Sequence, residues 1–263
     1  MREPAFARDA SDWAQARLAV LTCDSDWVHP DTMADAAEVL RATGLPVTFF
    51  VTDTYPVLSA AHASWETEPH PNFEGREDLK ATLQAAIAHA PGATCYRGHS
   101  CFWSERLRAI LRELGLTRSS SVLQYGMPGI VPFELGPGLT EIPIFWMDIF
   151  HLEYCELQGH DPYNLDRLAL DRLGLKVLDV HPIHLMLNTE SRLHYNSVRS
   201  FYRQPEKIRQ LRHKGRGLCD VTHAVIERLT NAGYKFCLIS EVMQRLQSPE
   251  HNVVTLEAEI GAG

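Results

Sequence analysis

No stretch of the 263-residue sequence approaches the roughly 18 consecutive apolar residues of a membrane-spanning helix. No cluster of lysine or arginine occurs either: 33 acidic residues outnumber 25 basic ones, for a formal charge of −8 and a pI near 5.9. Such a chain has no electrostatic footprint for a phosphate backbone or an anionic bilayer, so nucleic acid is not expected as a partner. The segment Met1–Leu21 carries charges throughout and lacks the basic start and unbroken apolar run of a secretory signal, from which a cytoplasmic location is expected. None of the six cysteines (Cys23, Cys95, Cys101, Cys155, Cys219 and Cys237) forms a CxxC pair, and several lie in apolar, strand-like runs; free and mostly buried thiols are expected. Without an internal repeat or a linker-like shift in composition, residues 1–263 read as one domain, with a core over about 18–246 and short terminal extensions.

What is present is the composition of an ordinary globular protein, 45% hydrophobic and 22% charged. Strands are predicted over Leu18–Cys23, Val47–Thr52, Ala93–Arg97, Ser119–Leu123, Leu139–Trp146, Leu175–His181 and Tyr234–Ile239. Helices are predicted from an Asp31 N-cap to Gly44, from Glu77 to Ala90, from a Ser104 cap to Gly115, from Leu165 to Leu173 and from Asp220 to Ala232. Asp53–Gly75 reads as irregular, and the Gly- and Pro-rich segment Tyr125–Gly138 as a loop, with a lid as one candidate role. Helices separate nearly every pair of strands, which predicts an α/β fold in the form of a single barrel-like parallel domain of about seven strands.

In such a barrel the functional groups stand just past the C-terminal ends of the strands. Four of these ends carry polar clusters. In Thr22-Cys23-Asp24-Ser25-Asp26 the spacing of two lets one carboxylate bind a cation while the other stays free as a base, the plain alternative being an Asp-stabilised turn. In Glu66–Phe73, His70 stands between Pro69 and Pro71, a rigid setting that suits metal ligation. In Tyr96–Ser100, Arg97 could hold a carboxylate in register through its fork. In Val177–His184, His181 and His184 end an apolar strand, where an imidazole can act as ligand or as general acid. Each cluster alone has an ordinary structural explanation, but four of them at strand ends point to function.

The order of these segments is similar to that of the polysaccharide deacetylase superfamily, the NodB-like carbohydrate esterases. The resemblance covers Leu18 to Leu246 and includes the ending Leu229–Phe236 followed by Ser240-Glu241-Val242. The phrases HPNF, RGHS and HPIH most resemble a WbmS-like branch found with surface-polysaccharide biosynthesis. The resemblance implies a distorted (β/α) barrel of about seven strands and a divalent metal, zinc first, acting on a saccharide or nucleotide-linked sugar. Carried over residue by residue, it implies that Asp24 is the general base, Asp26 a metal-binding carboxylate and His70 the first metal histidine. Arg97 would orient the base, and His181 would protonate the departing amine. Trp146, Asp148 and Trp103 could line the cleft for sugar, with core packing the alternative for each tryptophan.

One departure matters. Relatives usually carry a second metal histidine four residues after the first, and here that position holds Glu74. The third ligand is then His99, Glu74 or His184, with His99 preferred because it lies at a strand end in the Arg97 segment. Three functions follow: a metal-dependent deacetylase of a sugar, a glycan-binding protein that keeps the fold without catalysis, and a metal-dependent hydrolase of a non-sugar amide.

Overall fold

The apolar run from Leu18 generates the central strand of the fold, buried along its whole length. The computed structural model describes residues 15–59 and 62–246. In chain order its strands are Leu18–Asp24 (β1), Val47–Val51 (β2), Trp65–Pro69 (β3), Cys95–Tyr96 (β4), Arg118–Ser119 (β5), Phe133–Gly136 (β6), Leu139–Glu141 (β7), Ile144–Met147 (β8), Lys176–Val180 (β9) and Lys235–Phe236 (β10). One sheet runs β3-β2-β1-β9-β8, with β10 added to the start of β1, and the second runs β4-β5-β7-β6. Every pairing is parallel except β6 with β7. The helices of nine or more residues are Pro30–Arg41 (α1), Leu79–Ile87 (α2), Glu105–Glu113 (α3), Asp148–Gln158 (α4) and Leu218–Asn231 (α5).

The expected α/β architecture is present, and its distortion has a location. The two sheets meet along two seams where no regular ladder forms. Between β3 and β4, Arg97 N–H donates to Pro69 O (3.2 Å), and the buried Glu68 carboxylate accepts from the N–H groups of Thr94 (3.0 Å) and Cys95 (3.1 Å). Between β5 and β8, the segment after β5 forms a single parallel bridge, Leu123 to Ile144. The path β1-β2-β3-β4-β5-β8-β9 therefore carries seven parallel strands, with the wall thinned at both seams.

Several elements differ from the sequence expectation for identifiable reasons. The single strand predicted over Leu139–Trp146 is two strands in different sheets, broken at Ile142-Pro143, where proline supplies no N–H to a ladder. The stretch read as irregular contains β3, whose Trp-Glu-Thr-Glu-Pro sequence lacks the apolar character of a core strand. The Tyr125–Gly138 loop contains β6, which folds back on β7. Leu165–Leu173 holds only a 3₁₀ turn at Leu165–Arg167. The first helix is capped by His29, whose Nδ1 accepts from Asp31 N–H, so that Asp31 sits in the first turn; the second is capped by Asp78 and starts at Leu79. All six cysteines are free, five of them buried.

The Glu68 seam generates a test. Glu68→Ala would leave the N–H groups of Thr94 and the fully buried Cys95 without an acceptor, an expected loss of about 2–3 kcal/mol in urea unfolding. Glu68→Gln, which keeps an acceptor oxygen, is expected to lose less.

Candidate metal centre and catalytic site

The end of β1 turns sharply. Asp26 and Trp27 have left-handed backbone (φ 43° and 56°), held by Ser25 N–H on Phe50 O (2.9 Å), Trp27 N–H on Thr52 Oγ1 (2.9 Å) and the Tyr202 hydroxyl on Asp26 O (2.7 Å). A second left-handed pair, Ser100 and Cys101 (φ 56° and 54°), directly follows His99 after β4, and His99 itself is held by its N–H on Pro71 O (2.9 Å). Strained non-glycine residues persist where their surroundings over-determine them, and of the five among the described residues four gather about one cavity, the fifth being Asn188 at the end of the helix Pro182–Leu187. That cavity, of about 500 Å³, is lined by Asp24, Asp26, His70, His99 and His181, with Leu123, Met147, Ile149 and Phe150 as its apolar wall.

Beneath it lies Arg97, fully buried and stacked 4.1 Å over the Phe50 ring. Its Nη1 is 2.8 Å from both Asp24 Oδ1 and Asp179 Oδ1, while Nε and Nη2 donate to Ser120 O (2.7 Å) and Ser120 Oγ (2.9 Å). The Arg97 carbonyl is 2.9 Å from His70 Nδ1. A carbonyl only accepts, so Nδ1 carries the proton, and a neutral His70 presents its Nε2 lone pair to Asp26 Oδ1 at 3.1 Å. His99 Nδ1 lies 3.0 Å from the same oxygen and 3.4 Å from His70 Nε2. Three acceptor-capable atoms facing one another need a proton or a cation between them. Their separations match the roughly 3.3 Å between ligands of a tetrahedral ion with bonds of about 2.0–2.1 Å, so the donor set fits a metal such as zinc. Burial presses the Asp26 carboxyl upward, but the surrounding histidines, His70, His99 and His181, outweigh it when they carry charge and hold the group well below the usual carboxylate range. His99 is raised, chiefly by its hydrogen bond to Asp26.

On the opposite wall, the carboxylate of Asp148, at the N-terminus of α4, faces His181 Nδ1 at 2.7 Å and accepts the His181 backbone N–H at 2.8 Å. His181 Nε2 points into the cavity, 3.7 Å from Asp26 Oδ2. Burial presses the His181 imidazole toward neutrality, yet Asp148 outweighs it and lifts its pKa well above 6.5; burial likewise raises Asp148, and His181 brings it below 3.8.

The structure thus brings together Asp24, Asp26, His70, Arg97, His99 and His181. Others stand elsewhere. Glu74 lies exposed in a turn, its N–H bound to Asn72 Oδ1 (2.9 Å), and His184 is buried with Nδ1 3.0 Å from Thr189 Oγ1, burial lowering its pKa to about 4. Trp146, expected to line the cleft, is fully buried in the main core, its side chain turned to the interior from β8 at the end of the larger sheet. Trp103 packs against the smaller core around Leu83 and Leu107, away from the cavity lining. Asp148 is fully buried and partners His181 instead of facing substrate. Sequence reasoning missed Phe150, which supplies an aromatic face at the cleft, and Asp179, two residues before His181. Asp179 is fully buried, one oxygen on Arg97 and the other unpartnered, and burial pushes its pKa to about 8 against the pull of Arg97. Its place in an apolar strand, LDV, was the available signal.

Comparison with known proteins adds the following. The family model of WbmS-like polysaccharide deacetylases matches residues 21–199, the span that contains all six gathered residues. Among solved structures, the chain is similar to a Bordetella bronchiseptica protein described as a polysaccharide deacetylase involved in O-antigen biosynthesis, with a TM-score of 0.70 and 24% identity over 81% of this chain and 91% of that one. It also matches a CE4 family pseudoenzyme from Bacillus anthracis, with a TM-score of 0.47 and 13% identity over 88% of this chain and 66% of that one. No curated protein matches the chain.

The His181–Asp148 pair predicts a pH window. A raised His181 pKa contributes stability that is complete below about pH 6.5 and lost as pH rises through the folded value, and a lowered Asp148 pKa contributes stability that is complete above about pH 3.8 and lost as pH falls through its folded value. In metal-free protein, Asp148→Asn is expected to bring the His181 imidazole down toward an ordinary histidine in an NMR titration. The stability difference from wild type should peak between those two pH values and shrink above them; an unmoved His181 titration would refute the pairing.

Proposed function

The chain belongs to the WbmS-like polysaccharide deacetylase family, and we propose that it is a metal-dependent hydrolase that removes an N-acetyl group from a saccharide or nucleotide-linked sugar. Its setting on this reading is surface-polysaccharide assembly in the cytoplasm; no helix among the described residues is long and apolar enough to cross a membrane. The observation that carries the proposal is the convergence of Asp26, His70 and His99 on one point of a cavity that also holds Asp24 and His181. The Glu74 departure motivated a binding-only alternative. His99, reaching Asp26 from across the β3–β4 seam, supports a complete donor set instead.

Asp26, His70 and His99 would hold the divalent metal, for which mixed imidazole and carboxylate donors suit zinc; when bound, it polarises the acetyl carbonyl and lowers the pKa of water. Asp24 accepts the proton of the attacking water. Arg97 keeps that carboxylate aimed at the cavity through the 2.8 Å contact to its Oδ1, which leaves Oδ2 for the water. His181 gives a proton from Nε2 to the departing amine nitrogen, and Asp148 on Nδ1 fixes the ring and supports its charged form. Acetate and a free amine result.

Protein purified without chelator is expected to carry near-stoichiometric divalent metal, lost in both Asp26→Ala and His70→Ala. Asp24→Asn should keep the metal while acetate release from N-acetylated saccharides falls by about 10²–10⁴-fold. Wild-type protein that takes up no zinc or cobalt, or an Asp24→Asn variant with full acetate release, would sink the proposal.

A further inference from the structure

Helix α4 separates two cavities. Its first turns face the cleft through Ile149, Phe150 and Glu153, and its other side, with His151 and Tyr154, forms one wall of a second pocket of about 380 Å³. Tyr125, His160, Asn164 and Arg167 complete that wall. An aromatic series connects the two. Phe150 of the cleft lies 5.0 Å from Tyr125, Tyr125 lies 5.1 Å from Tyr154, and Tyr154 lies 6.2 Å from His160. Phe150 and Tyr154 are 36% and 39% exposed, a contiguous aromatic ridge open to solvent beside a polar site. A rise of about 1.5 Å per residue puts Tyr154 about 9 Å along the helix from Asp148, within reach of the sugar next to one held at His181.

The polar chemistry of the pocket is one-sided. In a chain of net charge −8, no carboxylate lines it. Arg167 enters none of the ion pairs among the described residues, whereas Arg228 is pinned by Asp166 and Asp171 and Arg192 by Glu153. Asn164 engages its Oδ1 with Asp166 N–H (3.1 Å), which leaves its amide N–H groups as donors. The floor is fixed: His151 Nε2 donates to Pro162 O (2.8 Å), so its Nδ1 accepts from the Tyr125 hydroxyl (2.6 Å).

We propose that this pocket is an anion-selective saccharide subsite, taking a ring that bears a carboxylate or a phosphate and is joined to the N-acetylated sugar in the cleft. The ring stacks on the Tyr154 and Phe150 ridge, and its anionic group meets Arg167 and Asn164. The substrate is then an acidic or phosphate-linked saccharide. This inference rests on the deacetylase reading for what occupies the cleft, but not for whether the pocket binds an anion.

The test is calorimetric titration of the full chain with glucuronic acid, glucose 1-phosphate and glucose. Wild type should bind one or both anions and bind glucose at least about ten-fold more weakly, the contribution of one charge-assisted hydrogen bond. Preference for glucuronic acid would point to a uronate in the substrate, and preference for glucose 1-phosphate to a phosphate-linked sugar. Arg167→Gln should lose at least about ten-fold in anion affinity with its metal content unchanged. Tyr154→Ala should weaken both anionic sugars. Glucose binding as tight as the anions, or anion binding unaltered in Arg167→Gln, overturns the proposal. Acetate release by the wild type is the separating readout: anion binding with no acetate release from any N-acetylated saccharide would fail the deacetylase reading alone, and acetate release without anion selectivity would fail this one alone.

Discussion

A fully buried guanidinium organises this molecule. Arg97 leaves the end of β4, in the smaller sheet, and reaches Asp24 on β1 and Asp179 on β9, in the larger one, while Ser120 after β5 anchors its other edge. Burying a charge is costly unless it is paired and fully hydrogen-bonded, and every nitrogen of this side chain has such a partner. The same residue, through its backbone carbonyl, sets the proton on His70. One side chain thus ties the two sheets together and orients both the proposed base and a proposed ligand.

The surrounding charges follow from that arrangement. Two carboxylates share Arg97, and burial favours keeping one of them, Asp179, neutral. A third buried carboxylate, Asp148, has its own cation in His181. Asp26 is the member of the cluster left facing the cavity with only histidines around it. The strained turns at Asp26-Trp27 and Ser100-Cys101 aim these groups, and the backbone and hydroxyl contacts about the first turn hold it against relaxation.

Much of this was legible in the linear pattern, and the reasons for what was not are physical. β1 is a nearly continuous apolar run and β9 an apolar run interrupted by Asp179, each giving way to polar residues, so the strands and the positions of Asp24, Asp26 and His181 could be read directly. β3 escaped because it lies beside a seam, where Glu68 replaces a ladder and the sequence need not be apolar. His99 could not be ranked securely over Glu74 by spacing, because its approach to His70 depends on β4 lying beside β3 and on a left-handed turn, neither of which is a property of neighbours in sequence. Trp146 is a cleft candidate by the stacking chemistry of tryptophan with sugars, which says nothing of the direction in which its side chain, or that of Asp148, turns. Alternation along β8 and the start of α4 turned both inward, one to the core and one to the back of His181. Phe150, two residues after Asp148, takes the exposed position.

The thin wall between β3 and β4 gives the site a second significance. His70 follows one of these strands and His99 follows the other, so a cation held by both, together with Asp26, would rivet the barrel where its own ladder is missing. Chemistry and architecture would then be under selection through the same three side chains. A lineage drifting away from catalysis could not discard its ligands freely; it would first have to reinforce the seam by other means, so the histidines would be expected to outlast the activity they serve.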